Sequence, residues 1–394
     1  MINNYRKFEK NNSLLLGGEM EKIIWVGNKL SDISEIAPFF YKTINLYGKS
    51  GQKNICFKNI RCNNNIENPQ LDCFIQDTLM HEIAYSDAKI MFYNPRKAFK
   101  FGKKIQNRSI CLNDIFLLEL LNDKITCHDF LVSEINFAPY ITAYGQNINY
   151  QQLRKIFPMF EKFIIQKSKG SGGFETYILT QKNSNNFWER INPNNRYLLS
   201  GYIEHNVSYN IHIIIGDEDY IIFPPSKQII EISSERLIYR GADFINVNKN
   251  IIPQMFTEML PVINKLKELG YRGVLGADLI HDLKADAFYL AELNCRFQGS
   301  SYLLNKALLH QKLPSLQELN IIAFRNGRLN TLIPTSIEVP YGCVMYYQNV
   351  DSPINIENSY LLSREDDDLL NYSLVEPYAY LFKEIYGKEL NNEC

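Results

Sequence analysis

Asp278, Glu292 and Asn294 are the residues of this 394-residue chain whose types and spacing most directly suggest chemistry. Two carboxylates and an amide oxygen make a hard donor set that suits Mg²⁺, and such a cation commonly serves to hold a nucleotide triphosphate. All three lie in Arg272–Ser301, RGVLGADLIHDLKADAFYLAELNCRFQGSS. Two short apolar runs, Val274–Ile280 and Ala287–Leu293, flank the polar turn HDLKAD, and the spacing predicts a β-hairpin. Strand side chains alternate faces, so Glu292 and Asn294 share one face, and folding about Ala285 sets Asp278 opposite Glu292. Opposed Cβ atoms in an antiparallel pair lie about 4.5–5.5 Å apart. Two carboxylates that close repel each other in apolar surroundings unless a cation lies between them. Asp278 also interrupts an apolar run, where a lone carboxylate needs a partner.

Arg296 comes two residues after Asn294 and leads into Phe297-Gln298-Gly299-Ser300-Ser301. An arginine there can clamp phosphate oxygens bidentately and stabilise charge that develops in a transition state. Upstream, Gly170, Ser171, Gly172 and Gly173 separate two strand-like runs within Phe163–Leu179. Such a loop lets backbone N–H groups approach phosphate oxygens. It is not a Walker loop, because no Gly-Lys-Ser/Thr ends it and a strand follows. Asp123-Lys124 sits inside 113–135, a stretch of helical periodicity, and Arg196–Glu204 is an extended apolar run that turns at Tyr-Ile-Glu.

The pattern Glu-x-Asn-x-Arg-x-x-Gly-Ser after a short strand, with an acidic residue on the preceding strand, resembles the metal-binding end of the ATP-grasp superfamily. Asp278, Glu292, Asn294 and Arg296 carry the match, with Cys295 where the family more often has proline. Lys124, the glycine flap, the Tyr-Ile-Glu hinge and the hairpin follow in family order over roughly 110–305. The resemblance implies that Lys124 reaches the nucleotide phosphates and that the flap closes over ATP. It implies that backbone groups of Ser200, Tyr202 and Ile203 read the adenine edge while Glu204 accepts from the ribose. Lys227 and Arg240 become candidates for anion contacts with the second substrate, together with Arg296, Gly299 and Ser300. One departure stands out. The family places a lysine at the end of the first flap strand, where this chain has Gln166 followed by Lys167. A one-residue slip reverses the face of a strand side chain. Either Gln166 bonds the nucleotide as a neutral donor, the reading favoured here, or Lys167 or Lys169 reaches round from the loop.

The implied fold is a multidomain α/β and α+β chain, an N-terminal α/β domain that precedes a two-lobed ATP-grasp fold. Expected boundaries are a polar tail at 1–18, the α/β domain at 19–112, a first lobe with the flap at 113–205, a second lobe with the metal site at 206–335, and an extension at 336–394. The implied reaction is ATP-dependent joining of a carboxylic acid, an amino acid or peptide, to an amine through an acyl phosphate. ATP and Mg²⁺, replaceable by Mn²⁺, are the implied cofactors. Two alternatives stay open: loading of an amino acid onto a carrier-protein thiol or growing peptide, and an ATP-binding module without turnover.

Composition fits this reading. Lysine plus arginine total 42 against 43 acidic residues, a net charge of −1, which argues against nucleic acid or an anionic membrane as partner. No apolar stretch approaches the roughly 20 residues of a membrane span. The eight cysteines include no C-x-x-C pair, so a zinc site is not expected and a reduced, cytoplasmic chain is. Helices are expected at 32–41, at 252–270 ending on Gly270, and at 377–386, and the extension is expected to close over substrate or to mediate a homodimer.

Overall fold

The computed structural model describes residues 21–46, 50–57, 59–61, 69–170, 175–233, 235–325, 328–329, 331–334, 336–347, 354–355, 372–375 and 380–387. The expected polar tail therefore falls outside the described residues. The chain opens with β1 (Ile23–Val26), β2 (Lys42–Asn45), β3 (Asn54–Cys56), β4 (Asn59–Arg61) and β5 (Lys89–Phe92). Four of these form a parallel sheet in the order β3-β2-β1-β5. β1 reads Ile-Ile-Trp-Val and is buried throughout, as a central parallel strand must be. A helix at Pro69–Ala84 covers the sheet with Leu71, Ile75 and Leu79. The chain steps outward from β1 to β3 and then returns to the other side of β1 as β5. That reversal leaves a crevice at the carboxyl ends of β1 and β5, where open α/β sheets take ligands.

Four strands follow in the next segment, β6 (Tyr140–Tyr144), β7 (Phe163–Lys167), β8 (Thr176–Leu179) and β9 (Arg196–Gly201). Then come β10 (Asn206–Ile215), β11 (Tyr220–Ile222), β12 (Ser226–Ser233), β13 (Arg236–Asp243), β14 (Gly273–Asp282) and β15 (Ala287–Asn294). The last are β16 (Tyr341–Tyr347), β17 (Ile354–Asn355), β18 (Tyr372–Val375) and β19 (Tyr380–Gly387). Among the described residues, twelve strands join in one sheet, with β15-β14-β10-β12-β13-β8-β7-β9-β6 as its spine. β11 adds to β10, while β16 pairs with both β13 and β19. β10 is buried on both faces. Ile211, Ile213 and Ile215 enter the core under the Ile252–Glu268 helix, and Ile214 enters a second core on the opposite side. That second core joins Trp25 of β1 to Ile214, Phe297, Tyr341 and Cys343. It locks the first domain and the last strands onto the large sheet. Among the described residues no helix is long and apolar enough to cross a membrane, and the six described cysteines are free.

Several local expectations need correction. Residues 32–41 form two short 3₁₀ turns, Leu30–Asp32 and Ala37–Phe39, because Pro38 lacks the N–H a longer helix needs. Residues 113–135 hold two helices, Ile115–Asn122 and Lys124–Leu131, broken at Asp123. The Asp123 carboxylate accepts from Ile125 N and Thr126 N and so caps the second helix. Of the helix expected at 377–386, the described residues from Tyr380 onward form the strand β19, paired with β16. The helix at Ile252–Glu268 forms as expected, and Gly270 follows it at φ +79°.

Candidate active site

Strand register brings the predicted carboxylates together. Asp278 on β14 pairs directly with Glu292 on β15, and Gly276 pairs with Asn294. On the other side of β14, Asn210 of β10 lies opposite Asp278. A bulge at Ala291 shifts the register beyond that point, so that Leu279 pairs with Leu290. The bulge lets Leu290 and Leu293 enter one core while Glu292 and Asn294 face the cleft. His128 bonds through Nε2 to the bulged Ala291 carbonyl at 3.2 Å, which ties the Lys124–Leu131 helix to this kink. The hairpin turn is built by Asp282, whose carboxylate accepts from Lys284 N and Ala285 N, and by Asp286 at φ 50°.

These side chains open into a cleft of about 600 Å³ between the β7–β9 segment, the β14–β15 hairpin and the crevice of the parallel sheet. Asn294 Nδ2 donates to Asp278 Oδ2 at 3.2 Å and to Glu292 Oε1 at 3.1 Å. Asp278 Oδ1 accepts from Asn210 Nδ2 at 2.5 Å and from Gln228 Nε2 at 3.0 Å. Lys124, buried to 6% exposure, pairs with Glu292 Oε2 at 2.8 Å. Burial, and after it the Glu292 charge, pushes the Asp278 carboxyl up to about 7. Burial acts the same way on Glu292, but Lys124 outweighs it, helped by Arg296, and holds that carboxyl below its ordinary range.

The donor set fits a divalent cation. Between the two carboxylates stands an amide N–H₂, a group that puts partial positive charge where the oxygens crowd. A half-turn of the Asn294 side chain exchanges that nitrogen for an oxygen. Positive charge at this spot offsets the burial and the Glu292 repulsion that together raise Asp278. Among the described residues no group of three or more His, Cys, Asp or Glu forms a metal cage. A site of two carboxylates and an amide suits an ion such as Mg²⁺ that keeps water and phosphate ligands.

The other predicted residues divide. Gln166, Ser200, Tyr202, Ile203, Glu204, Lys227, Arg296 and Gly299 line the cleft. Gly201 N and Tyr202 N donate to Pro139 O and Lys162 O, while Ile203 N bonds no acceptor among the described residues. Glu204 sits at the mouth, paired with Lys162 at 3.0 Å. Lys167 pairs with Glu175 at 2.9 Å and Lys169 with Glu119 at 2.6 Å. Gly170 O accepts from Lys124 Nζ at 3.3 Å, while Ser171, Gly172 and Gly173 lie outside the described residues. Two candidates are not brought to the cleft. Arg240 is buried against Glu231 at 2.7 Å, and Ser300 turns inward to Asn210 Oδ1 at 3.4 Å.

Sequence reasoning missed the groups that hold Asp278. Asn210, Gln228 and Gln298 form a connected set, with Asn210 Nδ2 also donating to Gln298 Oε1 at 2.5 Å. A signal existed for Asn210, a lone amide in the apolar run Tyr209–Ile215 that shares the Asp278 row. Asn28, Asn94 and Lys97, contributed by the parallel sheet, carried no such signal.

The fold and this row of acidic and amide groups resemble those of ATP-grasp proteins. Residues 121–300 match the family model of the ATP-grasp domain. A butirosin acyl-carrier protein–L-glutamate ligase of Niallia circulans is 24% identical over 182 residues, 45% of this chain and 42% of that protein. The match thus spans less than half of that relative. Among solved structures, N5-carboxyaminoimidazole ribonucleotide synthetase from Thermotoga maritima aligns with a TM-score of 0.55 at 13% identity, covering 93% of this chain and 94% of that one. The biotin carboxylase domain of Hydrogenobacter thermophilus 2-oxoglutarate carboxylase, solved with MgADP and bicarbonate, aligns with a TM-score of 0.58 at 15% identity. That alignment covers 85% of this chain and 76% of that one. At these identities the structural likeness shows the shared fold.

Proposed function

We propose that the protein is an ATP-dependent carbon–nitrogen ligase that joins a carboxylic acid to an amine through an acyl phosphate. The observation that carries this reading is the opposed pair Asp278 and Glu292, bridged by Asn294 and flanked by Lys124, on the wall of one cleft. Asp278, Glu292 and Asn294 would hold Mg²⁺, which supplies neutralisation of phosphate charge. The MgADP in the carboxylase-domain neighbour supports a nucleotide in the same fold.

The chain's own groups then have assignable tasks. Lys124 would offset phosphate charge and the Ile203 amide would read the adenine edge, with Gln166 as a neutral donor to the nucleotide. In the first step a carboxylate oxygen of the acid attacks the γ-phosphorus and the bond to the β-phosphate oxygen breaks, releasing ADP. Positioning and charge neutralisation are the main requirements of such a transfer. Arg296 stabilises the resulting acyl phosphate, an amine attacks its carbonyl carbon, and phosphate leaves.

A second version changes the acceptor. The relative named for an acyl-carrier protein and L-glutamate favours a carrier-bound acceptor in place of a free amine. The test is ADP and phosphate release over a panel of acid–amine pairs with Mg²⁺, run beside a mass measurement on a phosphopantetheinylated carrier. Release that depends on both a carboxylic acid and an amine supports the ligase, and a mass gain on the carrier alone selects the second version. Tight Mg·ATP binding with no release under any pair refutes turnover and leaves a nucleotide-binding module.

A further inference from the structure

The cleft's charge is unevenly committed. Its four lining carboxylates, Asp32, Glu204, Asp278 and Glu292, are all engaged. Asp32 pairs with Lys29 at 3.7 Å and Lys383 at 3.2 Å, Glu204 with Lys162, and Glu292 with Lys124, while Asp278 is held by amides. Lys97 and Arg296 also line the cleft, and among the described residues neither has a carboxylate at ion-pair distance. The Lys97 ammonium donates to Asn28 Oδ1 at 3.5 Å. The Arg296 guanidinium reaches its neighbouring carbonyl, Phe297 O, at 3.1 Å.

The backbone brings these two cations to one wall. Phe297 N donates to Tyr93 O at 3.2 Å, which fastens the segment after the metal hairpin to the end of β5. Lys97 follows β5 in the short 3₁₀ turn Pro95–Lys100, anchored by buried Pro95 and Ala98. Asn28 follows β1. The three residues therefore meet at the β1–β5 crevice, the reversal point of the parallel sheet. Burial above all, with Lys100 and Arg296 adding to it against the pull of Asp72, holds the Lys97 ammonium below the ordinary lysine range. A half-buried cation in that position gains from an anionic ligand.

We infer that the β1–β5 crevice, through Lys97 and Asn28, binds a second anionic group of the acid substrate whose reacting carboxylate sits at Arg296. The substrate class is thus a dianionic acid, its remote group a carboxylate or a phosphate. This rests on the ligase reading for which end of the acid reacts, but the anion site itself is open to a direct binding test.

Calorimetric titration of the full-length protein with matched acids, with and without Mg·ADP, supplies that test. The probes are succinate against propionate for a remote carboxylate, and phosphoglycolate against glycolate for a remote phosphate. The dianion of at least one pair should bind about tenfold tighter or more than its monoanion. Lys97→Met should erase that preference and Lys97→Arg should restore it. The arm that shows the preference identifies the remote group. Absence of any preference for a dianion, or a preference that survives in Lys97→Met, overturns the inference. Failure of Mg·ADP to bind in the same titrations counts against the ligase reading instead, because anion binding is read separately.

Discussion

Glu292→Gln separates the two roles assigned to this carboxylate. Its partner Lys124 is nearly buried, and the ion pair is 2.8 Å long. Removing one member of a buried pair strands the other charge, at a cost of about 3–5 kcal/mol. The Glu292 side chain keeps 21% exposure, so water shares in the solvation and a loss of about 2–3 kcal/mol is the better figure. Part of that is returned, because the Glu292 charge helps to raise Asp278, and Asp278 should ionise more readily in the variant. The loss in catalysis should be larger than the loss in stability. A cation held by one carboxylate instead of two gives up several kcal/mol of charge stabilisation, about 10³-fold in kcat/KM. Urea unfolding measures the first quantity and ADP release the second. A folded Glu292→Gln protein that retains ATP-dependent turnover would refute the metal assignment.

Three further outcomes are expected. Gly276→Ala places a Cβ onto the Gln298 side-chain amide, which must leave the set holding Asp278. Urea titration should show a loss of about 1–3 kcal/mol, and Mg²⁺-dependent nucleotide affinity should fall with it, whereas unchanged values would mean Gln298 has room to move. Burial lowers the His128 imidazole to about 4 and His212 to about 3. An unfolded histidine titrates near ~6.5, so both folded values are depressed. Their contribution to stability is full above ~6.5 and is lost as pH falls toward the folded values, about 3 kcal/mol for His128. His212→Gln should flatten the fall of the urea midpoint over that range, and parallel curves for the two proteins would contradict the assignment. Gln166→Ala should weaken ATP binding by about tenfold, while Lys167→Ala, which breaks a half-exposed pair with Glu175, should change it little. The reverse order of effects would identify Lys167 as the phosphate ligand.

Much of the acidic hairpin was legible because period-two alternation and a polar turn fix a register, and Asp278 does oppose Glu292. The bulge at Ala291 was not legible, since nothing in Leu-Ala-Glu-Leu marks which residue is extra. The helix expected near the C-terminus became β19 because Tyr380–Gly387 fits either period and its partner β16 decides the matter. In the same way Asp123 reads as one more polar residue in a helical stretch until its carboxylate is seen to cap a new helix. Lys97 is the clearest case of what a sequence hides. Its place beside Arg296 depends on contacts between segments some 200 residues apart, made through Tyr93 and Phe297. Of the neutral amides around Asp278, Asn210 stands out as an amide in an apolar run, whereas Gln228 and Gln298 carry no local mark of function.

The proposed ligase needs its hairpin acids to gather a divalent ion under a bound nucleotide. Titration of ADP into the protein with excess Mg²⁺ and again with chelator tests it most directly, repeated on the double variant Asp278→Asn, Glu292→Gln. Mg²⁺ should tighten ADP binding by about tenfold or more in the natural protein and not in the variant. Equal affinity with and without the ion, or an equal Mg²⁺ effect in both proteins, would contradict it.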